Sequence, residues 1–203
     1  MQEKNNWIIL ILGQKGSGKT TLAKKIISNL DRVFVLDVLD EYNLESINDE
    51  KELINICKEI IKNKSKSFKY SIKIDNDKFL INAIKILWIF AKFYNNWWLV
   101  GEEASYYVNL NVRTGEILNF IRYGRHYEVN QIYISRNTAE ISKYLTSQAD
   151  LIISFKQIEP RHKEVLEKYG FDIEKLDKLK KYDYITVGDV SILNKLLKTK
   201  KEK

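Results

Sequence analysis

Cysteine is nearly missing from this chain: Cys57 is the only one in 203 residues. No disulfide framework can form, and a reducing compartment is expected. Leu53, Ile54, Ile56 and Ile60 around Cys57 make it a buried structural thiol rather than a nucleophile. Histidine is scarce as well. His126 has no second histidine or cysteine near it in sequence, so a hydrogen-bonded loop residue is expected there, not a metal ligand. The single proline, Pro160, fits the first turn of a helix. Also lacking is an uncharged apolar run of the roughly 18 residues that a membrane span needs. The greasiest stretch is FLINAIKILWIFAKFY, residues 79–94, which Lys85 and Lys92 interrupt. With Lys78 these lysines fall seven apart, as expected of a helix buried on most sides with a narrow wet edge. Residues 1–12 do not read as a signal peptide, because their apolar part is short and belongs to a strand. Internal repeats and low-complexity linkers are absent too. One domain over residues 1–197 is expected, with a basic, disordered tail at 198–203.

What is present begins at GQKGSGKT, residues 13–20. It fits G-x-x-x-x-G-K-[ST] with Gly13, Gly18, Lys19 and Thr20 in the fixed places. Glycines let the backbone turn so that N–H groups point inward at phosphate oxygens, and the following helix adds its positive end. Gly13, Gln14, Lys15, Gly16, Ser17, Gly18, Lys19, Thr20 and Thr21 are therefore the candidate ATP-binding residues. Lys19 would reach the β- and γ-phosphates and Thr20 would hold Mg²⁺. The context agrees. Residues 7–12 form a continuous apolar run, as a buried parallel strand does, and Leu22, Ala23, Ile26, Ile27 and Leu30 follow at helical spacing.

Further strands are expected over residues 32–38, 68–74, 97–100, 131–135, 151–155 and 182–187. Helices are expected over 50–62, 79–94, 114–125, 160–170 and 173–181. This alternation predicts an α/β fold, a P-loop NTPase with a mostly parallel central sheet flanked by helices. Ligands in such sheets sit beyond the carboxyl ends of strands. That rule selects Gly13–Thr20, Gly101–Glu103, Ser135–Asn137 and the loop after Phe155.

Hydrolysis needs a carboxylate near Mg²⁺ and a group that orients water. LVGEEA supplies Glu102 and Glu103 at a strand end. Read as extended, they point opposite ways: Glu102 to the Mg²⁺ water shell, Glu103 to the attacking water. If the strand ends one residue earlier, Gly101 takes the metal position and Glu102 becomes the catalytic acid. Ser135 and Arg136 end the next strand, where a polar residue senses the γ-phosphate between loop and acids. Arg122 and Arg125, in RYGRHYE, are candidate arginine fingers for a neighbouring subunit's nucleotide.

The net charge of +7 and a pI of about 9.2 suit a phosphate-bearing partner, or reflect a lysine-rich coding style. Lys62, Lys64, Lys66, Lys69 and Lys73 form one basic stretch, and Lys178, Lys180 and Lys181 a second. DNA contact competes in the first with an edge strand kept soluble by lysine, and in the second with a wet helix face.

Taken in order, GQKGSGKT, LVGEEASYY, RYGRHYEVNQIYISRN and SQADLIISFKQIEP resemble the FtsK–HerA superfamily of DNA-pumping ATPases. Within it, the chain resembles the genome-packaging ATPases of internal-membrane viruses, particularly turreted icosahedral archaeal viruses. The resemblance spans residues 7–187. It implies a homo-oligomeric ring, ATP hydrolysis at subunit interfaces, and sequence-independent binding of double-stranded DNA. It also implies a capsid or portal protein as a further candidate partner, and a place in the host cytoplasm or with the virion. By motif, Lys19 and Thr20 carry over as phosphate and Mg²⁺ ligands, Glu102 and Glu103 as the acidic pair, and Arg125 as the trans-acting arginine. Arg136 departs from the Gln that many relatives have, and Asn137–Thr138 from the Pro that often follows. Three rivals compete: a phage-assembly or export ATPase, disfavoured by the lack of a membrane span; a small-molecule kinase, which needs no water-activating glutamate; and a non-hydrolysing switch, which needs no acids.

Overall fold

The structure is a computed structural model that describes residues 6–109 and 115–198. It opens with β1 (Ile8–Leu12), followed by the glycine-rich loop and α1 (Lys19–Asn29). β1 lies between β6 (Val129–Ser135) and β7 (Leu151–Phe155), parallel to both. Beyond β6 come β5 (Trp97–Gly101), β2 (Arg32–Asp37), β4 (Phe68–Lys73) and the short β3 (Glu45–Ile47), all parallel. Beyond β7 lies β8 (Tyr184–Gly188), which runs antiparallel. The result is an eight-stranded sheet in the order β3-β4-β2-β5-β6-β1-β7-β8.

Both faces are covered, which is why β1, β5, β6 and β7 are buried along their length and mostly apolar. Alternate residues serve opposite faces. Ile9 and Ile11 pack with α1 and with α8 (Val190–Leu197). Ile8, Leu10 and Leu12 face the larger core, beneath α2 (Glu50–Asn63), α3 (Asp77–Ala91) and α4 (Glu116–Tyr123). In that core Phe34, Phe90 and Trp97 meet edge to face, the favoured aromatic geometry. The helices begin at side-chain caps: Asp49 accepts from the Glu52 N–H, and Asn76 from the Phe79 N–H.

Several expectations shift. The wet edge of α3 is wider than three lysines, since Ile81 and Ile89 are also exposed. Residue 114, expected in a helix, lies outside the described residues; after α4 a 3-10 turn, Gly124–Tyr127, carries the rest. Pro160 does open α6 (Pro160–Lys168), whereas α7 (Ile173–Lys178) ends three residues early. The expected tail, save residue 198, lies outside the described residues. β4 is not an edge strand, because β3 pairs with Tyr70, Ser71 and Ile72. β3, α5 (Lys143–Gln148) and α8 are additions to the expected elements. Among the described residues no helix is long and apolar enough to cross a membrane.

Candidate nucleotide site

The loop from Gly13 to Gly18 is held by the strands around it. The Gly13 N–H donates to the Ser135 carbonyl and the Gln14 N–H to the Lys156 carbonyl, each at 3.3 Å. A side chain at Gly13 has no room: a β-carbon there would stand 2.7 Å from both Phe155 Cβ and Ser17 Oγ. Gly18, at φ 116°, precedes α1 in a conformation that favours glycine. Ser17 Oγ is buried in this loop without a hydrogen-bond partner. An orphaned buried hydroxyl is costly, and an oxygen-rich anion in the loop would satisfy it. The residues present thus fit a phosphate chain.

Lys19 is only 8% exposed, and its ammonium donates to the Gln14 carbonyl at 3.0 Å. Burial holds its pKa below the ordinary lysine value, against the pull of Glu102 and Glu103. Thr20 follows in the first turn of α1, half-buried, while Thr21 is exposed.

Because β6 lies between β1 and β5, the ends of three adjacent strands converge here. Both acids act on Lys19. The extended reading of the pair does not hold. The strand ends at Gly101, and Glu103 takes a left-handed conformation with φ 49°. Gly101 faces away from α1: a β-carbon on it would collide with the Tyr107 hydroxyl and approach Tyr133 Cδ1 at 3.2 Å. Both tyrosines belong to the opposite core. A metal ligand at that position would point to the wrong face.

Glu102 is 2% exposed, and its Oε2 accepts from the Tyr42 hydroxyl at 2.7 Å. Burial pushes its carboxyl up to about 7; the Tyr42 bond opposes this, and Glu41 and Glu103 add to it. Tyr42 is placed by Asp37 at the end of β2. Asp37 accepts from the Glu41 and Tyr42 N–H groups and from Ser71 Oγ. Sequence reasoning missed this pair. The signal was available: Asp37 ends a buried strand, a fifth place of the kind the strand-end rule selects.

Arg136 Nε pairs with Glu103 Oε1 at 3.3 Å. Ser135 is fully buried, and its hydroxyl accepts from the Asn137 N–H, so it closes its own turn. A cleft of about 640 Å³ opens beside the loop, with Lys15, Arg136 and Arg161 in its lining.

Arg122 and Arg125 are not brought to this site. They lie before β6, at the opposite, amino-terminal end of the strands. Arg125 donates to Asp150 Oδ1 at 3.2 Å and to the Gln148 carbonyl at 3.3 Å. Arg122 sits over the Tyr144 ring, 5.1 Å from its centroid. Two basic-stretch lysines have local partners: Lys69 donates to the Ile27 and Ser28 carbonyls, and Lys73 pairs with Asp40. Lys62, Lys64 and Lys66 are exposed. Lys180 and Lys181 lie past the end of α7, so the second stretch is not one helix face.

No family model and no curated protein sequence matches this chain. Solved structures do. The genome packaging NTPase from Sulfolobus turreted icosahedral virus 2, in complex with ATP-gammaS, superposes with a TM-score of 0.72 at 24% identity, covering 94% of this chain and 95% of that one. The DNA-packaging ATPase from Sulfolobus turreted icosahedral virus gives 0.67 at 24% identity, covering 92% and 95%. VirB4 of Thermoanaerobacter pseudethanolicus gives 0.58 at 13% identity, covering 90% and 89%. The chain has the P-loop NTPase fold of these structures, over nearly its whole length.

Proposed function

We propose that this chain is a subunit of an ATP-driven motor that moves double-stranded DNA, and that the DNA is a viral genome being packaged. The observation that carries the reading is the meeting of Lys19, Glu102, Glu103 and Arg136 across three neighbouring strand ends. A passive switch needs no carboxylate to activate water, and a kinase, whose acceptor is not water, needs none for that purpose either. The similar packaging ATPases support the choice of DNA as cargo.

In this reading residues 13–21 wrap the phosphates, and Lys19 exchanges the Gln14 carbonyl for phosphate oxygens. Thr20 and Glu102 would hold Mg²⁺, Glu102 through water, and the ion would neutralise charge that develops on the phosphates. Glu103 takes the proton of the attacking water. To do so it must leave Arg136, and a γ-phosphate is the competing anion that draws Arg136 away. Arg136 then reports the γ-phosphate by releasing the base. A second assignment rests on the raised carboxyl of Glu102, near the value that suits a general base at neutral pH. There Glu102 takes the proton and Glu103 only steers Arg136.

The test is ATP turnover with and without duplex DNA. Turnover that duplex of any sequence stimulates is expected; a protein that hydrolyses ATP but binds no duplex at low salt would sink the DNA part. Lys19→Ala should abolish turnover. Glu103→Gln should bind ATP and turn it over roughly 10²–10⁴-fold more slowly. If Glu102→Gln alone shows that behaviour, the second assignment stands. Binding should weaken steeply with salt. Changing Lys62, Lys64 and Lys66 together to Gln should flatten that log–log slope, by about 0.9 for each phosphate that no longer has a lysine on it.

A further inference from the structure

The sheet order fixes which way a nucleotide must lie. The acids and Arg136 stand at the ends of β5 and β6, on one side of β1. β7 and β8 lie on the other side. A triphosphate whose γ end faces the acids must send its nucleoside toward the β7–β8 flank. One residue waits there. Tyr182 precedes β8, and its N–H donates to the Ser17 carbonyl at 3.2 Å. Its ring lies against the phosphate loop, with Cδ1 2.8 Å from where a β-carbon on Gly18 would stand. Although it touches the loop, Tyr182 is 57% exposed. Lys181 sits over the ring, its ammonium 4.9 Å from the centroid.

The backbone there is costly. Tyr182 has φ 74°, a left-handed conformation that favours glycine and is an outlier for a bulky residue. The sequence keeps an aromatic ring where glycine would be easier. Strain of this kind persists where a side chain is wanted for a ligand.

We infer that Tyr182 is the base-stacking residue of the nucleotide site: its ring takes the face of the adenine, in the place that the Lys181 ammonium holds over it. The inference rests on the nucleotide reading of the loop and adds to it the residue that holds the nucleoside. Stacking grips a base by its face.

The experiment is calorimetric titration of the full chain with Mg²⁺ present, using ATP and, separately, inorganic tripolyphosphate, which has no base. Tyr182→Phe should match the wild type for both ligands. Tyr182→Ala should bind ATP roughly ten- to hundredfold more weakly, the scale of a lost base stack, with tripolyphosphate affinity unchanged. Tyr182→Gly guards against misfolding: it relieves the backbone, so thermal stability should hold or rise while ATP affinity falls. Unchanged ATP affinity in Tyr182→Gly would overturn the assignment. So would equal losses for both ligands, which would mean that the ring only props the loop. If the wild type binds neither ligand, the nucleotide reading itself falls and this inference goes with it.

Discussion

Glu102 carries a stability signature that can be read without any nucleotide. In the folded protein burial holds its proton to about pH 7, against an ordinary value of 4.5. Between those values the folded state binds more protons than the unfolded chain, so stability falls as pH rises, and the loss is complete above 7. The shift corresponds to a loss on the order of 3 kcal/mol. Melting in metal-free buffer at pH 5 and pH 8 should therefore show a larger drop for the wild type than for Glu102→Gln, which has no charge to bury. Equal drops would mean that Glu102 ionises freely in the fold. Tyr42 acts on the same group in the opposite sense, since its hydroxyl favours the carboxylate. Tyr42→Phe should cost about 1 kcal/mol of stability. It should also move the acid limb of the ATPase pH profile upward. A stability loss with an unmoved pH profile would make Tyr42 a packing residue only.

At the scale of elements, Lys69 of β4 shows how a basic stretch can serve the fold. Its ammonium donates to the Ile27 and Ser28 carbonyls at the carboxyl end of α1, at 2.9 Å each. That end carries partial negative charge, and α1 has no basic residue in its own last turn. Lys69→Gln should lower stability in urea by roughly 0.5–2 kcal/mol and leave the salt slope of DNA binding unchanged. A flattened slope with intact stability would return Lys69 to the DNA surface. The inner parallel strands β1, β2 and β5 are easy to read because burial on both faces makes them nearly continuous apolar runs. The phosphate loop is legible because its glycines and lysine stand at fixed spacing. β3 has three residues and α5 six, too few to establish a period. The antiparallel course of β8 is decided by its pairing with β7, which local pattern does not encode. An extended reading of the acids fails because the strand stops at Gly101, where the Tyr107 hydroxyl leaves room for no β-carbon. Asp37 and Tyr42 escape a sequence reading because the bond from Tyr42 to Glu102 crosses sixty residues of chain.

For the whole molecule, the decisive fact is that the glycine-rich loop and Arg125 lie at opposite strand ends of one sheet. Seven residues of β6 separate those ends, about 20 Å at the rise of a strand. Arg125 therefore cannot complete the site of its own chain without unfolding the strand behind it. It can serve a second copy, provided that it leaves Asp150. That step is easy, since an exposed ion pair is worth no more than about 1 kcal/mol. Turnover should then rise more than linearly with protein concentration. Mixed subunits give the sharper test. Lys19→Ala removes the phosphate ligand but keeps the arginine, and Arg125→Ala does the reverse. Each should be inactive alone, and a mixture should recover activity, because some subunit interfaces pair an intact loop with an intact arginine. Recovery should peak near equal proportions, where such interfaces are most frequent. If the two variants co-assemble, as shown by light scattering, and still give no activity at any ratio, Arg125 is not the trans residue. Arg122, which rests on Tyr144 at the same end of the sheet, is the next to be put through the same mixing experiment.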